Sequence, residues 1–182
     1  MRYFKNISYL LSLISVLFFS CIKKIDEKEQ LLETIKINFE DGTFFTGHRM
    51  PDPSRSGNYI SKISNEIPYG GGFYFKIPDS LINKDIKVLV KSTLRTNEFY
   101  TYGHFFAITL NSSNKQLFWR QIDLDKNIEN KKTWNEMIDS TLIPSTINNR
   151  AGLELKVFGF NVSKKSYMEY DDIEVKLLII SK

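Results

Sequence analysis

The chain has 182 residues, 42% hydrophobic and 14% aromatic, and its 25 Lys and Arg against 21 Asp and Glu give a formal charge of +4. Basic and acidic residues are interspersed rather than gathered into a stripe, so nucleic acid is not an expected partner. The single cysteine, Cys21, excludes a disulfide within the chain, and the fold must stand on its core.

The first 21 residues run from positive charge (Arg2, Lys5) through an apolar stretch (Ile7 to Phe19) to Ser20-Cys21. A membrane-spanning helix needs about 20 apolar residues. This stretch is shorter and is interrupted by Ser8, Ser12 and Ser15, so it reads as a cleaved leader. Leu17-Phe18-Phe19-Ser20-Cys21 resembles the lipobox of bacterial lipoprotein signal peptides. That resemblance implies cleavage after residue 20 and acyl chains on Cys21. It places the body in the cell envelope, at the outer membrane in preference, facing the periplasm or the exterior. Two or more chains hold firmly, at about 0.8 kcal/mol per buried methylene. An ordinary buried thiol and an uncleaved anchor helix are the alternatives for this segment.

Without residues 1–20 the chain keeps 162 of its 182 residues and loses two basic and no acidic groups, so its charge falls from +4 to +2. That length suits one domain burying roughly 68 to 70% of its unfolded surface. Residues 21–33 are highly charged without strand alternation and read as the lipidated N-terminus and a tether. Residues 34–182 then show short alternating segments separated by Gly, Pro, Asn, Asp and Ser, the pattern of an all-β antiparallel sandwich. About nine strands are expected: Thr34 to Phe39, Asn58 to Ile63, Gly72 to Ile77, Asp85 to Leu94, His104 to Leu110, Gln116 to Leu124, Thr133 to Ile143, Ala151 to Asn161 and Asp172 to Ile180. The fourth and fifth are expected to be central. Gly70-Gly71-Gly72 reads as a turn before a strand.

Several short patterns, in this order, resemble the jelly-roll domains of the galactose-binding-like and carbohydrate-binding-module superfamily. They are Asn38-Phe39-Glu40-Asp41-Gly42, Ser56-Gly57-Asn58-Tyr59, Trp134 with Leu142-Ile143-Pro144, Phe158-Gly159-Phe160-Asn161 and Tyr170-Asp171-Asp172-Ile173-Glu174-Val175. The resemblance implies a jelly roll over residues 34–182 and a structural calcium ion held by Glu40, Asp41 and Asp172. Calcium takes six to eight hard oxygens at about 2.3 to 2.6 Å. A second reading stays open, in which the acidic pair caps a strand or forms a turn and Asp41-Gly42 is a turn signal. Asp79-Ser80-Leu81 and Asp139-Ser140-Thr141 also resemble O-glycosylation acceptor sites of Bacteroidetes.

Sugar rings offer an apolar C–H face and a hydroxyl rim, so a binding site for them pairs exposed aromatics with polar groups. Trp119 shares a strand face with Gln121 and Asp123, Tyr74 alternates with Phe73 and Phe75, and Tyr100 and Tyr102 lie in a connection where recognition loops occur. Trp119, Tyr74 and Tyr102 are therefore the candidate ligand contacts, with ordinary core and sheet packing as the bland alternative. No hydrolase, metalloprotease or phosphate-binding motif is present, and the two histidines, His48 and His104, lie far apart. A polysaccharide lyase using Tyr102, His104 and Arg95, or a glycosidase built on a carboxylate pair, are lesser alternatives. The expectation is a non-catalytic envelope lipoprotein that binds a glycan; the runner-up is an assembly lipoprotein that binds a partner protein.

Overall fold

The computed structural model describes residues 28–40, 49–52, 57–97, 102–113, 115–163 and 165–181. The leader, Cys21, Asp41, His48 and Tyr100 lie outside the described residues. The described chain forms two antiparallel sheets of six and four strands, packed as a sandwich. The larger sheet contains β1 (Lys28–Ile37), β2 (Arg49–Pro51), β3 (Tyr59–Ile63), β5 (Asp85–Thr96), β8 (Asn135–Ile143) and β10 (Met168–Ser181). Its order is β2-β3-β10-β5-β8, and β1 also pairs with β10. The smaller sheet contains β4 (Tyr69–Lys76), β6 (His104–Ser112), β7 (Lys115–Asp123) and β9 (Leu153–Asn161), in the order β4-β9-β6-β7.

The period of two in the sequence is what fills the space between the sheets. Ile86, Val88 and Val90 of β5, Phe106, Ile108 and Leu110 of β6, Leu153, Leu155 and Val157 of β9, and Val175 and Leu177 of β10 are all buried. Burying each such side chain contributes about 1.5 to 3 kcal/mol. As expected, β5 and β6 are central, one in each sheet.

Three features depart from the sequence reading. First, β1 begins at Lys28, inside the stretch expected to be tether, and pairs with β10 from Lys28↔Ser181 to Ile37↔Ile173. A register shift between Leu31 and Glu33 breaks its alternation, so the backbone ladder supports a strand that side-chain periodicity hides. Second, the glycines at 70–72 lie within β4 rather than in a turn. A Cβ on Gly70 or Gly159 would strike the Tyr170 ring or its hydroxyl, one on Gly71 would strike Phe39, and one on Gly72 would strike the Val157 carbonyl. Third, β10 begins at Met168, so Asp171 and Asp172 sit inside it at a bulge where three steps of β10 oppose two of β5. Asp172 takes the left-handed backbone region there, at φ 51°. Ser92 Oγ (2.8 Å) and Thr93 Oγ1 (3.2 Å) both donate to the Asp171 carbonyl. On one side of the bulge β10 pairs with β3, and on the other with β1.

Tyr170 is wholly buried, edge-on to Phe39 (5.8 Å) and Phe106 (5.1 Å), and its hydroxyl donates to the Gly71 carbonyl at 2.8 Å. Burial holds its phenol above the usual pKa, so it acts as a neutral donor. Tyr170→Phe is expected to lower stability by about 1 to 2 kcal/mol in urea denaturation, because a buried carbonyl loses its partner. Gly159→Ala is expected to cost more, since the added methyl and the phenol cannot share the space.

Candidate functional site

The expected calcium ligands are not gathered in the described part of the chain. Glu40 Oε1 accepts the backbone N–H groups of Asn58 and Tyr59, both at 2.8 Å, and so clasps the end of β1 to the start of β3. These two bonds, chiefly, hold its carboxyl below the usual carboxylate range. The cation beside it is a side chain: Arg49 Nη1 donates to the carbonyls of Phe39 (3.3 Å) and Glu40 (3.2 Å), and its guanidinium lies 4.3 Å from the Tyr59 ring centroid. Asp172 lines a separate cleft at the β10 bulge. Among the described residues no group of three or more His, Cys, Asp or Glu side chains is placed to hold a metal, so those present do not by themselves fit a calcium site. Asp41 lies outside them.

The residues of the lyase alternative are also separated. His104 is wholly buried on β6, with Nδ1 2.8 Å from Asp125 Oδ1 and Nε2 3.3 Å from Ser166 Oγ. Asp125 accepts the backbone N–H groups of Gly103 (2.6 Å) and His104 (3.2 Å), and Ser166 Oγ lies 2.9 Å from Ser163 Oγ. The connectivity is that of a Ser-His-Asp triad, yet all three residues are closed off from solvent. They pin the start of β6 to the short turn Asp125–Asn127 and to the segment before β10. Sequence reading could not find these partners, because 21 and 62 positions separate Asp125 and Ser166 from His104. Arg95 belongs to the other sheet, where Glu169 (2.8 Å) and Asp52 hold its guanidinium over Trp134. Tyr102, 79% exposed, stands just before β6.

Trp119 and Tyr74, by contrast, come onto one surface, the outer face of the four-stranded sheet. Strand register sets three transverse rows there: Tyr69, Phe160, Phe105, Asp123; then Gly72, Phe158, Ala107, Gln121; then Tyr74, Lys156, Thr109, Trp119. Tyr69 stacks on Phe160 at 5.5 Å, and Trp119 meets Phe158 (6.2 Å) and Phe160 (6.0 Å) edge-on. Tyr69, Tyr74 and Trp119 remain 54%, 56% and 38% exposed. Gly72, Ala107 and Thr109 are buried low points of this face, while Phe158, Phe160 and Lys156 of β9 fill its middle, so the rings form one aromatic surface about 14 Å across at three strand spacings. Tyr69, Phe158 and Phe160 were missed as site residues. The outward parity of Phe158 and Phe160 could have been read from β9, where Leu155 and Val157 alternate with Lys156 and Phe158; that of Tyr69 could not, because the register shifts between Tyr69 and Gly72.

A second concavity, a cleft of about 460 Å³, opens on the outer face of the six-stranded sheet at the bulge, lined by Lys36, Asn38, Lys91, Thr93, Glu136 and Asp172 among others. Its described lining includes no aromatic side chain, and Glu174 on its rim already pairs with Lys36 (3.5 Å) and Lys176 (2.9 Å). The aromatic face is therefore the better equipped of the two to bind an organic ligand.

No protein-family model matches the chain, and no curated protein matches it. Among solved structures, the chain is similar to the carbohydrate-binding module CBM27-1 of Caldicellulosiruptor saccharolyticus in complex with mannohexaose, with 16% identity, a TM-score of 0.42, and coverage of 79% of this chain and 96% of that one. It is also similar to the isomalto-dextranase of Arthrobacter globiformis T6 complexed with panose, with 12% identity, a TM-score of 0.46, and coverage of 78% of this chain and 23% of that one. A third is the K1 cleaved adhesin domain of Lys-gingipain from Porphyromonas gingivalis W83, with 11% identity, a TM-score of 0.39, and coverage of 82% and 96%. The functional reading rests on this chain's own residues, since one fold hosts many functions.

Because the Glu40 carboxyl is lowered on folding, its stabilising contribution is present above the ordinary value of 4.5 and is lost as pH falls through the lowered one. Glu40→Gln is thus expected to melt below the wild type at neutral pH. Thermal scans at decreasing pH are expected to show that gap closing in acid.

Proposed function

We propose that this chain is a non-catalytic, glycan-binding β-sandwich displayed by a cell-envelope lipoprotein. The aromatic outer face of the four-stranded sheet carries the reading. Trp119, Tyr74 and Tyr69 offer flat apolar surfaces to the C–H faces of sugar rings, while Gln121 and Lys156 offer polar contacts between them. Tyr102 stands at the end of this sheet that also bears Tyr69 and Phe160, where it would meet the end of a longer ligand. Anchoring through acylated Cys21 follows from the charge, apolar run and Ser20-Cys21 junction of the leader.

A protein-binding role for the opposite face draws on Leu31, Ile138 and Leu142, which are 55%, 59% and 49% exposed. Ion pairs run through that face, Lys87 with Glu29 at 2.7 Å and Lys36 with Glu174 at 3.5 Å, and they suit a solvated surface better than a docked one. The glycan reading is preferred for that reason.

In affinity electrophoresis against polysaccharide gels, the wild type should be retarded by at least one glycan. Trp119→Ala should weaken that binding roughly tenfold or more, about 1.4 kcal/mol or above, while the protein stays folded at the temperature of the gel. A wild type that no glycan retards would sink the proposal. For the anchor, mass spectrometry of the mature protein should find Cys21 at the N-terminus carrying acyl chains, and Cys21→Ser should leave an unprocessed, unlipidated chain.

A further inference from the structure

We infer that the aromatic face selects carboxylate-bearing glycans, of the uronic acid class, over neutral ones, and that Lys156 sets the preference; this rests on the glycan reading above. Lys156 lies opposite Tyr74 across β4 and opposite Thr109 across β6, and Thr109 in turn lies opposite Trp119. Thr109 is buried, and its Oγ1 accepts from Asn111 Nδ2 at 2.9 Å, so it forms floor rather than rim. Lys156 is therefore the charged residue of that row, between the positions of its two exposed rings.

The carboxylates of the same face leave a positive balance around it. Glu154 lies 4.0 Å from Lys156 Nζ and directly opposite Lys76 in the β4–β9 register, so these two described rows hold two cations and one anion. Asp123, at the far row, lies 3.8 Å from Lys126 Nζ, and its Oδ1 accepts the Asp125 N–H at 3.0 Å. A hexuronate ring stacked on Trp119 or Tyr74 would carry its carboxylate at the ring edge, toward this ammonium. A neutral hexose places a hydroxymethyl group there instead. Attraction of opposite charges beside apolar rings is stronger than in open water, and it also raises the rate of encounter.

Calorimetric titration of the full chain in mild detergent, with oligogalacturonate and with mannohexaose at equal length, tests the inference. Oligogalacturonate should bind several-fold more tightly at low salt, and the advantage should shrink at roughly 1 M salt, where the Debye length is about 3 Å. Lys156→Gln should weaken oligogalacturonate binding about threefold to fivefold, more than it weakens mannohexaose binding, and keep the melting temperature, while Lys156→Arg should retain the preference. Mannohexaose bound as tightly as oligogalacturonate, or a preference that survives Lys156→Gln, overturns the inference and leaves the glycan reading standing. A wild type that binds neither overturns the inference, and the polysaccharide gels then decide the glycan reading.

Discussion

The fold is organised around one bulky polar ring placed where two sheets meet. Tyr170 sits between Phe39 of the β1 end and Phe106 of β6, and it donates its hydroxyl to a backbone carbonyl of β4. A buried hydroxyl without a partner is costly, so the acceptor on β4 must come within reach, and only glycine at positions 70, 71 and 159 leaves room for that approach. Phe39 reaches its place by taking the left-handed backbone region at φ 62°, a conformation that costs about 1 to 2 kcal/mol for a residue with a side chain. Burial of its ring and the Arg49 bond to its carbonyl offset that strain.

The same constraint shapes the opposite side of the small sheet. Because β4 and β9 are drawn together over Tyr170, Gly72 packs onto the Val157 carbonyl and the Phe158 backbone, leaving a low point on the outer surface. Tyr69 and Tyr74 flank it along β4, and Trp119 stands across the sheet on β7. The demand for close packing inside thus produces relief outside, and a surface of rings standing above small residues is suited to a flat apolar ligand.

The larger sheet handles a different problem. Its strand β10 is long enough to pair with two strands end to end on one side, β3 first and β1 afterwards, while β5 runs along the other. The bulge at Asp171 and Asp172 marks the change of partner, and the hydroxyls of Ser92 and Thr93 satisfy the Asp171 carbonyl there. In the described structure the acidic pair has this local backbone role, and Glu40 has a similar one where it receives two amides of the next strand.

Alternation of apolar and polar residues was enough to mark six of the strands to within two residues of their limits, because a strand with one face buried must repeat with period two. It was blind to the three residues of β2 and to the exposed start of β1, where backbone pairing does the work and side chains carry little signal. It read the outward parity of Tyr74 and Trp119 correctly but could not place them in one row, since register depends on partners far away in sequence. Nor could it show that Glu40 receives two backbone amides, or distinguish a lone histidine from one enclosed by Asp125 and Ser166. Local composition determined which segments extend and which way their side chains point. Tertiary structure decided which of them meet, because hydrogen-bond partners and strand neighbours are chosen only when the sheets close on each other.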